Sequence, residues 1–205
     1  MMRILLSLLV LLTAPLVARA ADLEVLLKDA RGQPVPDAVV TYIPAQGAGR
    51  APHFAWPMVV AQHDIAFEPH VLIAPVGADV TFPNLDTVRH HVYSFSAAKR
   101  FELKLYGHEQ ARTVHFDKAG VVALGCNIHD RMSGFIIVVD TPFAAKTDEA
   151  GRAVIAAAPD GSGVLSVWQE DLKAPGNAVS RQLAVHGATR QTLTLDLKPH
   201  PAMKM

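Results

Sequence analysis

Cys126 is the only cysteine in this chain of 205 residues. It stands in Gly125-Cys126-Asn127-Ile128-His129-Asp130-Arg131-Met132, so a thiol, an imidazole and a thioether recur at three-residue spacing. A further imidazole, His90, lies well upstream in Asn84-Leu85-Asp86-Thr87-Val88-Arg89-His90-His91-Val92. One thiolate, two neutral imidazoles and a weak axial thioether form the donor set of a mononuclear type 1 copper site, which suits one-electron transfer better than bond-making chemistry. The bland reading of a lone cysteine is simple burial, because free cysteine is among the most buried residue types. An internal disulfide is excluded for want of a second thiol. The histidine and methionine that follow at threes favour a metal.

Such donors must be held by the surrounding elements, and those read as strands. Apolar runs are short, alternate with polar residues and are punctuated by Pro, Gly, Asn and Asp. Strands are expected at 23–27, 38–43, 58–61, 71–73, 80–82, 91–95, 101–105, 112–116, 121–124 and 134–139, then at 153–156, 164–169, 181–185 and 192–197. Many short strands at this spacing predict an all-β chain of sandwich architecture. Residues 45–57, rich in Ala, Gly and Pro, read as a linker or long loop, and Asp140-Thr141-Pro142 closes the strand after the Cys/His/Met loop. Residues 56–140 are therefore expected to form one unit.

The first 20 residues read as a signal peptide: Met1-Met2-Arg3, an apolar run from Ile4 to Val17, then Ala18-Arg19-Ala20 as a cleavage site. The apolar run falls short of the roughly 20 residues a membrane span needs. A periplasmic chain with no stable membrane insertion is the expectation. Removing residues 1–20 takes away Arg3 and Arg19 and no acid, which leaves 17 basic against 19 acidic side chains, a net charge of −2. That balance predicts no nucleic-acid partner. The last residues, 199–205, read as a tail.

Residues 56–140 resemble a cupredoxin, most closely the plastocyanin, pseudoazurin and amicyanin branch. Pro69, Val71-Leu72-Ile73 and Gly77-Ala78-Asp79-Val80-Thr81-Phe82 resemble the start of that family's pattern. Asn84, Asp86 and His90-x-Val92 resemble its upstream ligand segment, and Cys126-x2-His129-x2-Met132 followed by Gly134 and Ile136 resembles the short ligand loop of amicyanin. The resemblance implies a Greek-key sandwich with one copper held by His90, Cys126, His129 and Met132. His91 is the alternative upstream ligand; it takes the place where the family usually has an asparagine that ties the two ligand loops together. Asn84 is implied as a supporting residue. Val122, Leu124 and Ile128 depart from the family's residues at their positions.

The outer segments, 21–55 and 141–198, resemble a carboxypeptidase regulatory-like domain. The carrying motifs are Asp29-Ala30-Arg31-Gly32-Gln33-Pro34-Val35-Pro36-Asp37-Ala38-Val39-Val40 and Thr147-Asp148-Glu149-Ala150-Gly151 followed by Pro159-Asp160-Gly161. A second, prealbumin-like sandwich interrupted by the copper-binding unit is implied.

The cupredoxin resemblance implies a non-enzymatic carrier of single electrons. Electrons would pass through the exposed edge of His129, with Ile128 in the surrounding apolar patch. Amicyanin-like proteins serve methylamine oxidation, so an amine or alcohol dehydrogenase and a cytochrome are the implied redox partners. Multicopper oxidase chemistry calls for several His-x-His pairs, and the chain has none. A type 1 site bridged to a catalytic copper calls for histidine directly before the cysteine, where Gly125 stands. A copper-delivery protein and a structural partner that keeps the fold are the competing readings.

Overall fold

The computed structural model describes residues 21–199. Residues 1–20, read above as a signal peptide, and most of the segment read as a C-terminal tail lie outside the described residues. The chain enters through β1 (Ala21–Asp29) and β2 (Val39–Pro44). β1 alternates as a half-buried strand should, with Leu23, Val25 and Leu27 inside. Asp29 then turns the chain, its carboxylate accepting the Arg31 and Gln33 amides at 2.8 Å each.

The central segment contributes nine strands: β3 (Ala61–His63), β4 (Ala66–Glu68), β5 (Val71–Pro75), β6 (Ala78–Pro83), β7 (His90–Phe95), β8 (Arg100–Tyr106), β9 (Ala111–Phe116), β10 (Gly120–Cys126) and β11 (Ser133–Val139). One sheet has the order β5-β11-β10-β7-β8, with β5 parallel to β11, and β6 leaves it to pair with β9. The two layers share a core that contains Val80, Phe82, Val92, Phe116, Val122, Leu124 and Ile136. The strand expected at 58–61 forms only an isolated bridge, Val59 to Thr81, before β3 begins. β4, at three residues, is too short for its alternation to register in the sequence.

The chain returns with β12 (Ala144–Lys146), β13 (Arg152–Ala158), β14 (Gly161–Trp168), β15 (Ala178–Val185) and β16 (Thr189–Leu195). These join β1 and β2, from the other side of the central segment, in sheets ordered β13-β1-β16 and β12-β2-β14-β15. Both sheets bury one core, with Leu23, Val25, Tyr42, Ile155, Leu165 and Val167 in it. The outer segments thus close on each other through long-range pairing that the local pattern of either segment does not encode.

A third apolar cluster joins the two cores: Val39, Val71, Ile73, Ile137, Val139, Ala144 and Trp168. The alternation of β11 explains it, since Ile136 and Val138 face the central core while Ile137 and Val139 face the outer strands. Residues 45–57 hold no strand, yet Trp56 stacks on Phe54 at 4.6 Å and donates its indole N–H to the Ile73 carbonyl at 2.8 Å. At the same junction His70 Nε2 lies 2.9 Å from Glu170 Oε1.

The hydrogen bond to Glu170 raises the His70 pKa, against the opposing effect of partial burial and with support from the Glu170 and Asp37 charges. A group whose pKa is raised on folding stabilises the fold below its unfolded value, about 6.5 for histidine, and loses that contribution as pH climbs through the folded value. Glu170→Gln is therefore expected to lower the thermal midpoint at about pH 6 and to have little effect at about pH 9. Paired melting curves at the two pH values check this.

Gly151 marks the tightest backbone approach. It has φ +71°, and a Cβ there would come within 2.4 Å of the Leu27 carbonyl oxygen and 2.9 Å of the Val35 nitrogen. Both atoms are tied by backbone bonds, the Val35 amide donating to the Leu27 carbonyl at 3.1 Å and the Leu27 amide to the Gly151 carbonyl at 2.8 Å. Gly151→Ala is expected to cost more than about 2 kcal/mol, readable as a shift of the urea midpoint.

Candidate metal centre

β7 and β10 are neighbours, and Cys126, the last residue of β10, pairs with Val92. This pairing sets the end of β10 beside the start of β7, where His90 is the first residue. Alternation along β7 turns His90, fully buried, to the core and His91 to the other face. The loop after Cys126 then closes on itself: the Met132 amide donates to the His129 carbonyl at 2.9 Å and the Cys126 amide to the Met132 carbonyl at 3.3 Å.

The result brings Cys126 Sγ within 3.6 Å of His129 Nδ1 and 3.8 Å of His90 Nδ1. The three donor atoms lie within 4.8 Å of one another, and they are the one such cluster of His, Cys, Asp or Glu groups among the described residues. The imidazole rings are tilted, with centroids 4.9 Å apart. Two donors bound to a single ion at about 2.0 and 2.3 Å, at trigonal or tetrahedral angles, lie roughly 3.5–3.7 Å apart. The spacing therefore fits one ion shared by all three. Cys126 and Met132 are buried in the same apolar cluster, while His129 is partly exposed.

His91 stands outside this cluster. Its Nε2 lies 2.8 Å from Glu102 Oε1 across β8, and its buried Nδ1 has no hydrogen-bond partner. The tie between the two ligand segments runs instead through the backbone, from the Asn127 amide to the His91 carbonyl at 3.3 Å. Asn84 is fully buried; its amide nitrogen donates to the Val88 carbonyl at 2.8 Å and the Tyr106 carbonyl at 3.1 Å, and its oxygen accepts the Asp86 amide at 2.9 Å. It thereby shapes the loop that leads into His90. Ile128 is 46% exposed next to His129. Gly125, directly before Cys126, is covered by Tyr93: a Cβ on it would come within 2.7 Å of the Tyr93 ring.

Sequence reasoning quoted Asp86 only as part of a pattern and gave it no role. Its Oδ2 lies 2.8 Å from His90 Nε2, the ring nitrogen opposite the one that faces Cys126. Burial alone would raise the Asp86 pKa, but hydrogen bonds from the Ile65 amide, the His90 ring and the Asp64 amide outweigh it and hold the carboxyl below its usual value. A charged acceptor there keeps the proton of a neutral His90 on Nε2 and leaves Nδ1 free as a donor to metal. The signal in the sequence was the four-residue spacing of Asp86 and His90, which gains meaning only once the loop between them is known to fold back.

No family model and no curated protein matches the sequence. Among solved structures the chain is similar to a copper-containing nitrite reductase (NirK) from Thermus scotoductus SA-01, at 26% identity over 45% of this chain and 26% of that one, with a TM-score of 0.40. The chain thus spans about a quarter of that enzyme's length. It is also similar to an amicyanin mutant in its reduced Cu(I) form, at 26% identity over 42% of this chain and 86% of that one, TM-score 0.38. A purple cupredoxin from Nitrosopumilus maritimus matches at 23% identity over 40% of this chain and 96% of that one, TM-score 0.36.

Proposed function

We propose that this protein binds one mononuclear type 1 copper ion that His90, Cys126, His129 and Met132 would hold, and carries single electrons between redox proteins of the periplasm. The observation that supports the reading is the convergence of one thiol sulfur and two imidazole Nδ1 atoms at 3.6 and 3.8 Å from the sulfur, with Met132 buried in the same apolar cluster as Cys126. Copper bound by such a set supplies a reversible Cu(I)/Cu(II) couple. The chain's own part is to hold the donors still. His90 and Cys126 sit on paired strands, His129 and Met132 on a loop closed by its own backbone bonds, which would restrain the donors in either oxidation state. Buried Cys126 and Met132 keep water from the sulfur donors, and the partly exposed His129, with Ile128 beside it, offers the short way out to a partner. Soft sulfur donors favour copper over harder cations. An amine or alcohol dehydrogenase as donor and a cytochrome as acceptor fit this reading. Among the described residues no helix is long and apolar enough to cross a membrane.

The test is a copper titration followed by voltammetry. A carrier gives an intense visible band saturating at one equivalent, and a reversible one-electron wave with rapid oxidation by an outer-sphere acceptor. A colourless protein that holds Cu(I) and passes it to a chelator would mean metal delivery instead, and preference for zinc without a redox wave would overturn both.

A further inference from the structure

The group that holds His90 is itself held by an unusual turn. β3 and β4 pair through His63 and Ala66, which leaves Asp64 and Ile65 as a two-residue loop. Both residues have positive φ, 51° and 57°. Hairpin loops of this length match the strand twist, but they are normally filled by Asn-Gly or Asp-Gly, because a Cβ crowds the backbone in the left-handed region and a β-branched side chain crowds it most. Ile65 gains little burial in return, being 50% exposed.

What the conformation delivers is two adjacent amides aimed at one carboxylate. The Asp64 amide donates to Asp86 Oδ1 at 2.7 Å and the Ile65 amide to Asp86 Oδ2 at 3.0 Å, the same oxygen that faces His90 Nε2 at 2.8 Å. Successive amides in turns of this kind form a concave anion site. The hairpin is pinned as well: Gln62 is fully buried, bridges to Asn84, and accepts the Leu85 amide on its carbonyl at 2.9 Å. Both oxygens of Asp86 are therefore fixed from outside the loop that carries His90. Backbone strain of this kind persists where the surrounding structure holds it for a purpose.

We propose that the Asp64–Ile65 turn is a positioning element of the metal centre, whose two amides lock the Asp86 carboxylate so that His90 keeps its proton on Nε2 and presents an unprotonated Nδ1 to the metal. Its value to the protein rests on the copper reading, but the prearrangement is a property of the metal-free chain and is tested there.

Long-range proton–nitrogen correlation spectra of the metal-free full chain read the His90 tautomer directly. The wild type is expected to hold the Nε2-protonated form. Ile65→Gly keeps both amides and removes the Cβ crowding, so it should retain that tautomer and raise the thermal midpoint. Asp64→Pro deletes one amide and imposes a φ near −65°; it should mix the His90 tautomers and weaken copper retention against a chelator by roughly 10- to 100-fold. An Asp64→Pro protein with a single Nε2-protonated His90 and undiminished retention overturns the proposal. If that variant does not fold, hydrogen exchange of the wild type decides: both turn amides should exchange more slowly than an open loop by at least about tenfold, and open-loop rates at both positions overturn the proposal. A chain that shows the fixed tautomer yet develops no blue band overturns the electron-carrier reading and leaves the positioning role intact.

Discussion

Cys126→Ser is expected to abolish the intense visible band of the copper(II) protein while leaving its fold in place. The band of a type 1 site is charge transfer from a thiolate sulfur, and Cys126 is the one thiol in the chain. Serine is nearly isosteric, and the residue's backbone bonds to the Met132 carbonyl and across to β7 do not involve the side chain. The stability change should stay within about 1–3 kcal/mol, the penalty for a buried hydroxyl that lacks a good partner. The copper that remains on His90 and His129 should give only a weak band, a wide copper hyperfine splitting in EPR, and no reversible wave. A variant that keeps the full band would place the chromophore elsewhere and remove the basis of the proposed function.

Asp86→Asn should be the most damaging change that replaces none of the proposed metal ligands. The carboxylate accepts three hydrogen bonds, from the Asp64 amide, the Ile65 amide and the His90 ring. An amide side chain has one oxygen to offer. With that oxygen toward His90, the new NH2 opposes the Asp64 amide. With the group flipped, it opposes His90 Nε2–H and drives the imidazole proton to Nδ1, the atom that faces Cys126. Copper must then displace a proton, and loss of such supporting partners typically weakens metal binding 10–100-fold. Competition against a chelator measures this, and a shifted reduction potential should accompany it. Wild-type affinity and potential in Asp86→Asn would mean that His90 is oriented by packing alone.

Three of the candidate donors were legible because their information is local. Cys126, His129 and Met132 belong to one short loop, and their types limit the chemistry before any fold is known. Strand positions were mostly legible for the same reason: β1 and β7 carry the period-2 alternation in their own residues, and β11 is a short continuous apolar run, as befits a strand buried on both faces. The misses fall where the local signal is thin. β4 and β12 have three residues each, too few for a period to register. Residues 58–60 are apolar enough for a strand but form only one isolated bridge, from Val59 to Thr81, before β3 begins at Ala61.

By itself, then, the sequence determined the candidate donor types and the all-β class; it left His90 and His91 as alternatives, and the structure puts His90 on the core side of β7. Only the tertiary structure decided which carboxylate holds His90, which turn holds that carboxylate, and that Tyr93 covers Gly125. The physical reason is range. Alternation and ligand spacing are set by neighbours along the chain. A hydrogen-bond partner or a sheet neighbour is chosen by what long-range pairing brings within about 3 Å, and many carboxylates and strands in the sequence offer the same local chemistry.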